Sequence, residues 1–278
     1  MYLNQEIFST PSIAYRKIPC NSKKRFCLYT KKLNFQFIDS GALEAQENMA
    51  LDQAYLADLQ DLPVLHFYDW KKPSLTFGHF IDVKKYLNLE KIAELGLQMA
   101  KRPTGGGIVF HLWDFAFSFL MPSSSPFFSE NTLENYKFVN RIVLESVQDF
   151  LNMKKQSGQS MLSLIENTPL EWGPHCSHFC MARPTIYDVI YKGRKVAGSA
   201  QRRTKKGFLH QGTISLAFPN LSLLNECLLS KEELVRAISF YTFAPLGAGV
   251  SGEELMEMRQ KVRKALFEKF VAKLNETD

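Results

Sequence analysis

The sequence predicts an α/β (α+β) protein in which mixed β-sheets pack against helices. Three observations predict it. Short apolar runs rich in Phe and Val are interleaved with stretches of helical periodicity. The 22 Phe among 278 residues supply a large core. Glycine numbers only 15, yet it is dense in two stretches beside basic residues, and both lie next to predicted strands.

Taken in order, residues 33–38 alternate and form a strand, and Asp39-Ser40-Gly41 is a turn signal. Residues 44–59 set Met49, Leu51, Ala54, Tyr55 and Leu59 near one helical face. A second strand covers 64–70. Lys71-Lys72-Pro73 turns the chain, because Pro fixes φ and cannot donate to a central ladder. A third strand, 74–80, contains Gly78, the mark of a bulge or a close backbone approach. Residues 83–95 repeat Val83, Tyr86, Leu89, Ile92 and Leu95 at helical spacing. A short apolar run at 97–100 leads into the first glycine stretch, and 108–111 with 115–121 then read as a hairpin. Ser123-Ser124-Ser125-Pro126 breaks the chain. Asn131 and Glu134 have capping-box spacing, ahead of a stripe of Leu133, Tyr136, Val139, Val143, Val147 and Phe150. Residues 154–174 read as an irregular connector. Strands follow at 189–192, 194–200 and 208–216, with Gly193 as a turn. Helices at 231–240 and 253–274 close the chain, separated by a glycine-rich break at 247–252. This order predicts a basic extension at 1–32, one central domain at 33–218 and a helical tail at 219–278.

At 45% hydrophobic and 22% charged, the composition is that of an ordinary soluble globular protein. The net charge of +6 suits acidic partners but does not by itself point to nucleic acid. No run reaches the ~18 apolar residues of a membrane helix. Five irregularly spaced Cys do not make a disulfide framework, so a reducing, cytoplasmic compartment is expected. In the first 32 residues Arg16, Lys17, Lys23, Lys24, Arg25, Lys31 and Lys32 stand against the single acid Glu6. Such an arm reads as a loosely docked extension; organelle transit peptides have a similar composition.

The first glycine stretch is Lys101-Arg102-Pro103-Thr104-Gly105-Gly106-Gly107, and it ends its following strand at His111. The second runs from Cys180 to Gly212 and contains Gly-Arg-Lys-Val-Ala-Gly-Ser-Ala-Gln-Arg-Arg, residues 193–203. Glycine lets backbone approach a ligand where a Cβ would block it. The two stretches are therefore expected to meet around a carboxylate, phosphate or acyl carbonyl. His111 at a strand end reads as a hydrogen-bonded structural residue more than as a base. His175-Cys176-Ser177-His178-Phe179-Cys180 is dense in soft ligands, but its spacing fits no familiar zinc pair, and no metal is expected. Arg202, Arg203, Lys205 and Lys206 are either a solvated hairpin or a docking patch for acidic carrier domains.

Five motifs in order carry a resemblance. They are Phe-Ile-Asp-Ser-Gly (37–41), Asn-Met-Ala-Leu-Asp (48–52), Phe-Tyr-Asp-Trp (67–70), Pro-Ser-Leu-Thr-Phe-Gly (73–78) and Arg-Pro-Thr-Gly-Gly-Gly (102–107). Together they resemble the lipoate- and biotin-attachment superfamily, and within it the octanoyltransferases of lipoate assembly and the lipoate–protein ligases. The resemblance implies a biotin/lipoate-ligase-like catalytic domain over residues 33–218. Cys180-Met-Ala-Arg-Pro184-Thr185 is similar to the segment that carries the acyl-accepting cysteine in the transferases; Cys176 lacks that register. Lys195 matches the superfamily's signature lysine, which the resemblance casts as the group that activates the thiol and relays protons. Arg102, Thr104, Gly105, Gly106, Gly107, His111, Gly198, Ser199, Ala200, Gln201, His210 and Gly212 are the implied substrate-binding residues.

The implied reaction moves an octanoyl or lipoyl group onto a specific lysine of a lipoyl-carrier domain. The implied donor is an acyl carrier protein or another acylated domain. The implied acceptors are the lipoyl domains of 2-oxoacid dehydrogenase complexes or the glycine cleavage H protein. No nucleic acid or membrane partner is implied. The transferase needs no cofactor; the rival, an ATP-dependent lipoate–protein ligase, needs ATP and Mg. The triple glycine at 105–107 leans toward the ligase, and Leu112 departs from both patterns by standing where an Asp is usual. A non-catalytic carrier-binding module is the alternative of another class; it would keep the pocket without needing Cys180 or Lys195.

Overall fold

The protein is described by a computed structural model. It describes residues 33–151, 161–167, 178–229 and 231–276, and the backbone of two short strands before them. The expectations for the rest of the first 32 residues, for most of the connector and for His175 and Cys176 fall outside the described residues.

A large sheet of nine strands forms the centre. In chain order its strands are β1 (Ala14–Arg16), β2 (Phe26–Tyr29), β3 (Gln36–Leu43) and β4 (Val64–Trp70), then β8 (Asp114–Pro122), β9 (Leu162–Leu164), β10 (Val189–Tyr191), β11 (Arg194–Thr204) and β12 (Gly207–Ser215). Their spatial order is β1-β2-β3-β4-β8-β12-β11-β10-β9, with β3 and β4 parallel. A small sheet of β5 (Ser74–Phe77), β6 (Gln98–Lys101) and β7 (Val109–Phe110) runs in the order β6-β5-β7. The helices are α1 (Ala45–Ala57), α2 (Leu89–Glu94), α3 (Thr132–Phe150), α4 (Leu221–Cys227), α5 (Lys231–Tyr241) and α6 (Gly252–Asn275). None of them is long and apolar enough to cross a membrane.

Strand alternation divides the large sheet into two faces. Phe115, Phe117, Phe119 and Met121 of β8 join one core with Val139, Ile142, Val143 and Val147 of α3 and Val262, Leu266, Phe270 and Leu274 of α6. Ala116 and Leu120 point the other way. Ala116 packs with Ala45 and Met49 of α1 and with Ala100 of the small sheet; Leu120 packs with Leu56 and Leu59. The functional cleft lies on this second face, where the small sheet approaches the large one.

Three expectations are corrected. Asp39-Ser40-Gly41 is not a turn: β3 runs through it to Leu43, with a register shift against β4 between Asp39 and Ala42, and Gly41 takes φ +66°. Residues 108–111 and 115–121 are not a hairpin, because β7 pairs with β5 in the small sheet while β8 pairs with β4 and β12 in the large one. Apolar runs on either side of a short break look alike in sequence whichever sheet they join. The helix expected at 83–95 splits into a 3-10 turn at Val83–Lys85 and α2, because Asn88 caps α2 by accepting from the Lys91 amide. The close approach expected at Gly78 is present: a Cβ there would lie 2.0 Å from the Gly106 carbonyl oxygen.

Candidate active site

The hairpin β10–β11 turns through Lys192 (φ 48°) and Gly193 (φ 79°), a left-handed pair that matches strand twist. It carries Lys195, whose side chain is buried inside the protein. An ammonium there needs partners. Lys195 Nζ donates to Asp188 Oδ2 at 2.7 Å, to the Cys180 carbonyl at 2.8 Å and to the Arg183 carbonyl at 3.3 Å. It also reaches Cys180 Sγ at 3.5 Å. Burial works against the ammonium, but Asp188 and Cys180 hold Lys195 above its ordinary value. Asp188 Oδ2 is aimed by the Thr185 amide at 2.7 Å and the Thr185 hydroxyl at 2.9 Å. Gly198 makes the room: a Cβ there would stand 2.3 Å from Lys195 Cε.

Cys180 opens a 3-10 turn (Cys180–Ala182) and is half-buried. The first glycine stretch meets this turn directly. Ile108 N–H donates to the His178 carbonyl at 2.6 Å, and Cys180 N–H donates to the Ile108 carbonyl at 3.2 Å. Gly107 permits the contact, since a Cβ would lie 2.5 Å from the His178 oxygen.

The cleft is lined by Arg102, Gly106, Gly107, His111, Cys180, Gly198, Ser199, Ala200 and Gly212 from the expected residues, and by Met49, Tyr68, Thr76, Val109, Ala116, Gln211 and Thr213 in addition. Arg102 braces the glycine loop from within, donating to the Gly105 carbonyl at 3.1 Å, the Gly107 carbonyl at 2.5 Å and Thr76 Oγ1 at 2.8 Å. Because Thr76 accepts from Arg102, its hydroxyl proton is free for His111 Nε2, 2.8 Å away. His111 Nδ1 then donates to Asp114 Oδ2 at 2.7 Å, and Thr213 donates to the same oxygen. Burial works against the Asp114 carboxylate, but these donors hold it below the usual carboxylate range. His111 also stacks on Trp70 at 4.2 Å. It is hydrogen-bonded on both ring nitrogens, as its place in the sequence suggests.

Thr104 does not face the cleft. Its hydroxyl donates to Gln211 Oε1 at 2.6 Å, and Gln211 Nε2 donates to Asp52 Oδ2 at 2.6 Å. Asp52 also accepts from Ser118 and bonds His66 Nδ1 at 2.8 Å. Gln201 and His210 are not brought to the cleft either. They bond each other at 2.9 Å, and the Gln201 amide donates to the Tyr136 hydroxyl of α3 at 2.7 Å, on the opposite face. The residue facing the cleft is Gln211, one step along β12. Strict strand alternation from Phe208, a core residue, was the signal for it. Met49, Tyr68 and Thr76 could have been found too, since each lies inside one of the ordered motifs. Gly105 borders the loop without lining the cleft. Among the described residues no group of three His, Cys, Asp or Glu is placed to hold a metal ion.

A half-buried thiol beside a buried ammonium, over a glycine-lined cleft between two sheets, is equipped for acyl chemistry: sulfur to take a carbonyl carbon, and a cation to stabilise charge and move protons. Comparison with known proteins agrees with that class. A profile of the lipoyl protein ligase A/B catalytic domain matches residues 44–241. The octanoyltransferase LipM of Lysinibacillus sphaericus is 34% identical over 200 residues, 71% of each chain. The octanoyltransferase LipM of Bacillus subtilis is 32% identical over 255 residues, 88% of each chain. Among solved structures, a bipartite lipoate protein ligase of Thermoplasma acidophilum superposes with a TM-score of 0.58 at 18% identity, covering 88% of this chain and 93% of that one. The chain belongs to the lipoyl protein ligase A/B catalytic domain family, a family of enzymes that includes these octanoyltransferases. At 18% identity the ligase likeness shows the shared fold alone.

Proposed function

We propose that the protein is an octanoyltransferase of protein lipoylation, moving an octanoyl group onto a lysine of a lipoyl domain through a thioester on Cys180. The observation that carries this reading is the 3.5 Å separation of Lys195 Nζ and Cys180 Sγ at one cleft. Relatives of more than 30% identity that bear the name octanoyltransferase support it.

In the first step the Cys180 thiolate attacks the carbonyl carbon of a donor thioester, for which an acyl carrier protein is the proposed source. The donor C–S bond breaks, and the departing thiolate takes a proton from the Lys195 ammonium. In the second step the acceptor lysine, as a neutral amine, attacks the acyl-Cys180 carbonyl. The amide forms, the Cys180 C–S bond breaks, and the proton released by the amine returns to Lys195. The sum is donor thioester plus amine giving thiol plus amide, which balances without nucleotide. Asp188 keeps Lys195 aimed at sulfur throughout. Arg102 keeps the loop 105–107 in place, and the apolar side chains of Met49, Val109 and Ala116 suit an alkyl chain. Residues 33–218 would carry this chemistry, supported by the helices that follow them.

Incubation with octanoyl carrier protein and a lipoyl domain, without ATP, is expected to yield octanoylated domain. Mass spectrometry of the intermediate is expected to find octanoyl on Cys180, and Cys180→Ala is expected to abolish both. Transfer that requires ATP and survives Cys180→Ala would replace this reading with the ligase. Lipoyl-domain binding with no transfer in either assay would replace it with the binding module.

A further inference from the structure

Thr242 follows α5 and is fully buried. It is not among the residues that line the cleft. Its backbone runs beside Lys195 as a single parallel bridge, and the next amide, Phe243 N–H, donates to the Lys195 carbonyl at 2.8 Å. Its hydroxyl donates to the Met181 carbonyl at 3.2 Å. Met181 is the middle residue of the turn that Cys180 opens. The carbonyls of Cys180 and Arg183 in that segment are taken by Lys195 Nζ, so the Met181 carbonyl is tied from the other side, by Thr242. The same turn rests on α5 through a shared apolar cluster of Phe179 and Ala182 with Leu234, Ala237 and Ile238.

One residue thus joins the segment bearing the thiol to the strand bearing the ammonium. Its hydroxyl holds the first and its backbone lies along the second. The two segments are distant in sequence from Thr242 and from α5, none of whose residues lines the cleft. The Sγ–Nζ separation depends on the placement of both backbones, and the reaction needs that separation kept while acyl groups arrive and leave.

We propose that Thr242 is a positioning residue for Cys180 and Lys195, and that through it the C-terminal helices set the geometry of the thiol and the ammonium. The proposal rests on the reading that these two side chains perform the transfer. Thr242→Val keeps the branched shape and removes only the hydroxyl; Thr242→Ser keeps the hydroxyl and removes a methyl group. Losing one hydrogen bond of ordinary strength corresponds to a rate change of about 5- to 10-fold. The expected result is a kcat lowered by that factor in Thr242→Val, with KM for the lipoyl domain unchanged. Slower alkylation of Cys180 by iodoacetamide at neutral pH, read by peptide mass spectrometry, is expected in the same variant. Thr242→Ser is expected to restore both quantities. Full kcat and wild-type alkylation in Thr242→Val would overturn the proposal. So would equal impairment of the Val and Ser variants alongside a common loss of thermal stability, which marks simple packing. The two readings fail separately. If the wild-type protein forms no acyl adduct on Cys180, the transferase reading falls, while the alkylation rates of the three proteins still decide whether Thr242 sets the thiol's surroundings.

Discussion

Lys195 stays charged in a buried position because four acceptors surround it: the Asp188 carboxylate, two carbonyls and the Cys180 sulfur. The space for it is made by an absent atom, the Cβ of Gly198. In Gly198→Ala that atom would overlap Lys195 Cε, so the lysine has to shift. Misplacing a catalytic group by about 1 Å can cost on the order of 100-fold. Steady-state transfer by Gly198→Ala is expected to fall by about that factor, with the far-UV circular dichroism unchanged. His210 illustrates the other buried ionisable type. Burial pushes its value from 6.5 down to about 3. As pH falls through the unfolded-chain value the unfolded state gains a proton that the folded state refuses until about 3. Stability is therefore present above about 6.5 and declines from there toward 3, at about 1.4 kcal/mol per pH unit for this one group. Urea unfolding across this range is expected to show a shallower decline in His210→Leu than in the parent. An identical pH dependence in both would refute the assignment.

The glycine loop shows which glycines of a motif matter and why. Gly107 lies against the backbone of 178–180, where a Cβ would come within 2.5 Å of the His178 oxygen; a Cβ added at Gly105 would meet nothing within 4 Å. Gly107→Ala is expected to part the loop from the Cys180 turn and reduce octanoyl transfer by at least about 10-fold. Gly105→Ala is expected to keep most of its activity in the same assay. If the two variants behave alike, the loop does not set the turn. The sequence shows three equal glycines, and only their neighbours distinguish them. Strand β12 holds a similar lesson. His210 and Gly212 share one side of the strand and Gln211 and Thr213 the other. Picking by residue type favours the histidine; counting alternation from the core residue Phe208 selects Gln211.

At the scale of the whole molecule, α6 is part of the core rather than an appendage. Leu266 and Phe270 are fully buried against the Phe-rich face of the large sheet. Arg263 bridges Asp39 and Asp69, and Arg259 donates to the Asp114 carbonyl at 2.9 Å, beside the His111–Asp114 pair. Leu266→Ala is expected to destabilise the protein by about 2–5 kcal/mol, read from the urea midpoint at constant m-value. A loss well below 1 kcal/mol would mean that α6 packs far more loosely than its burial implies.

Local pattern alone determined much of this protein. The apolar runs of β3 and β4, the periodicity of α3 and α6, the Gly193 turn and the meeting of the two glycine stretches all follow from residue spacing and glycine stereochemistry. Five ordered motifs sufficed to indicate the family, and two later segments that resemble it pointed at Cys180 and Lys195. What only the tertiary structure decided concerns pairs far apart in the chain. It assigned β7 and β8 to different sheets, because hydrogen-bond partners are chosen across the fold and not along it. It turned Gln201 away from the cleft, because cross-strand pairing sets it opposite His210 on the face that meets α3. It also placed Thr242 behind the thiol and the ammonium, through contacts of 61 residues' separation that no periodicity encodes.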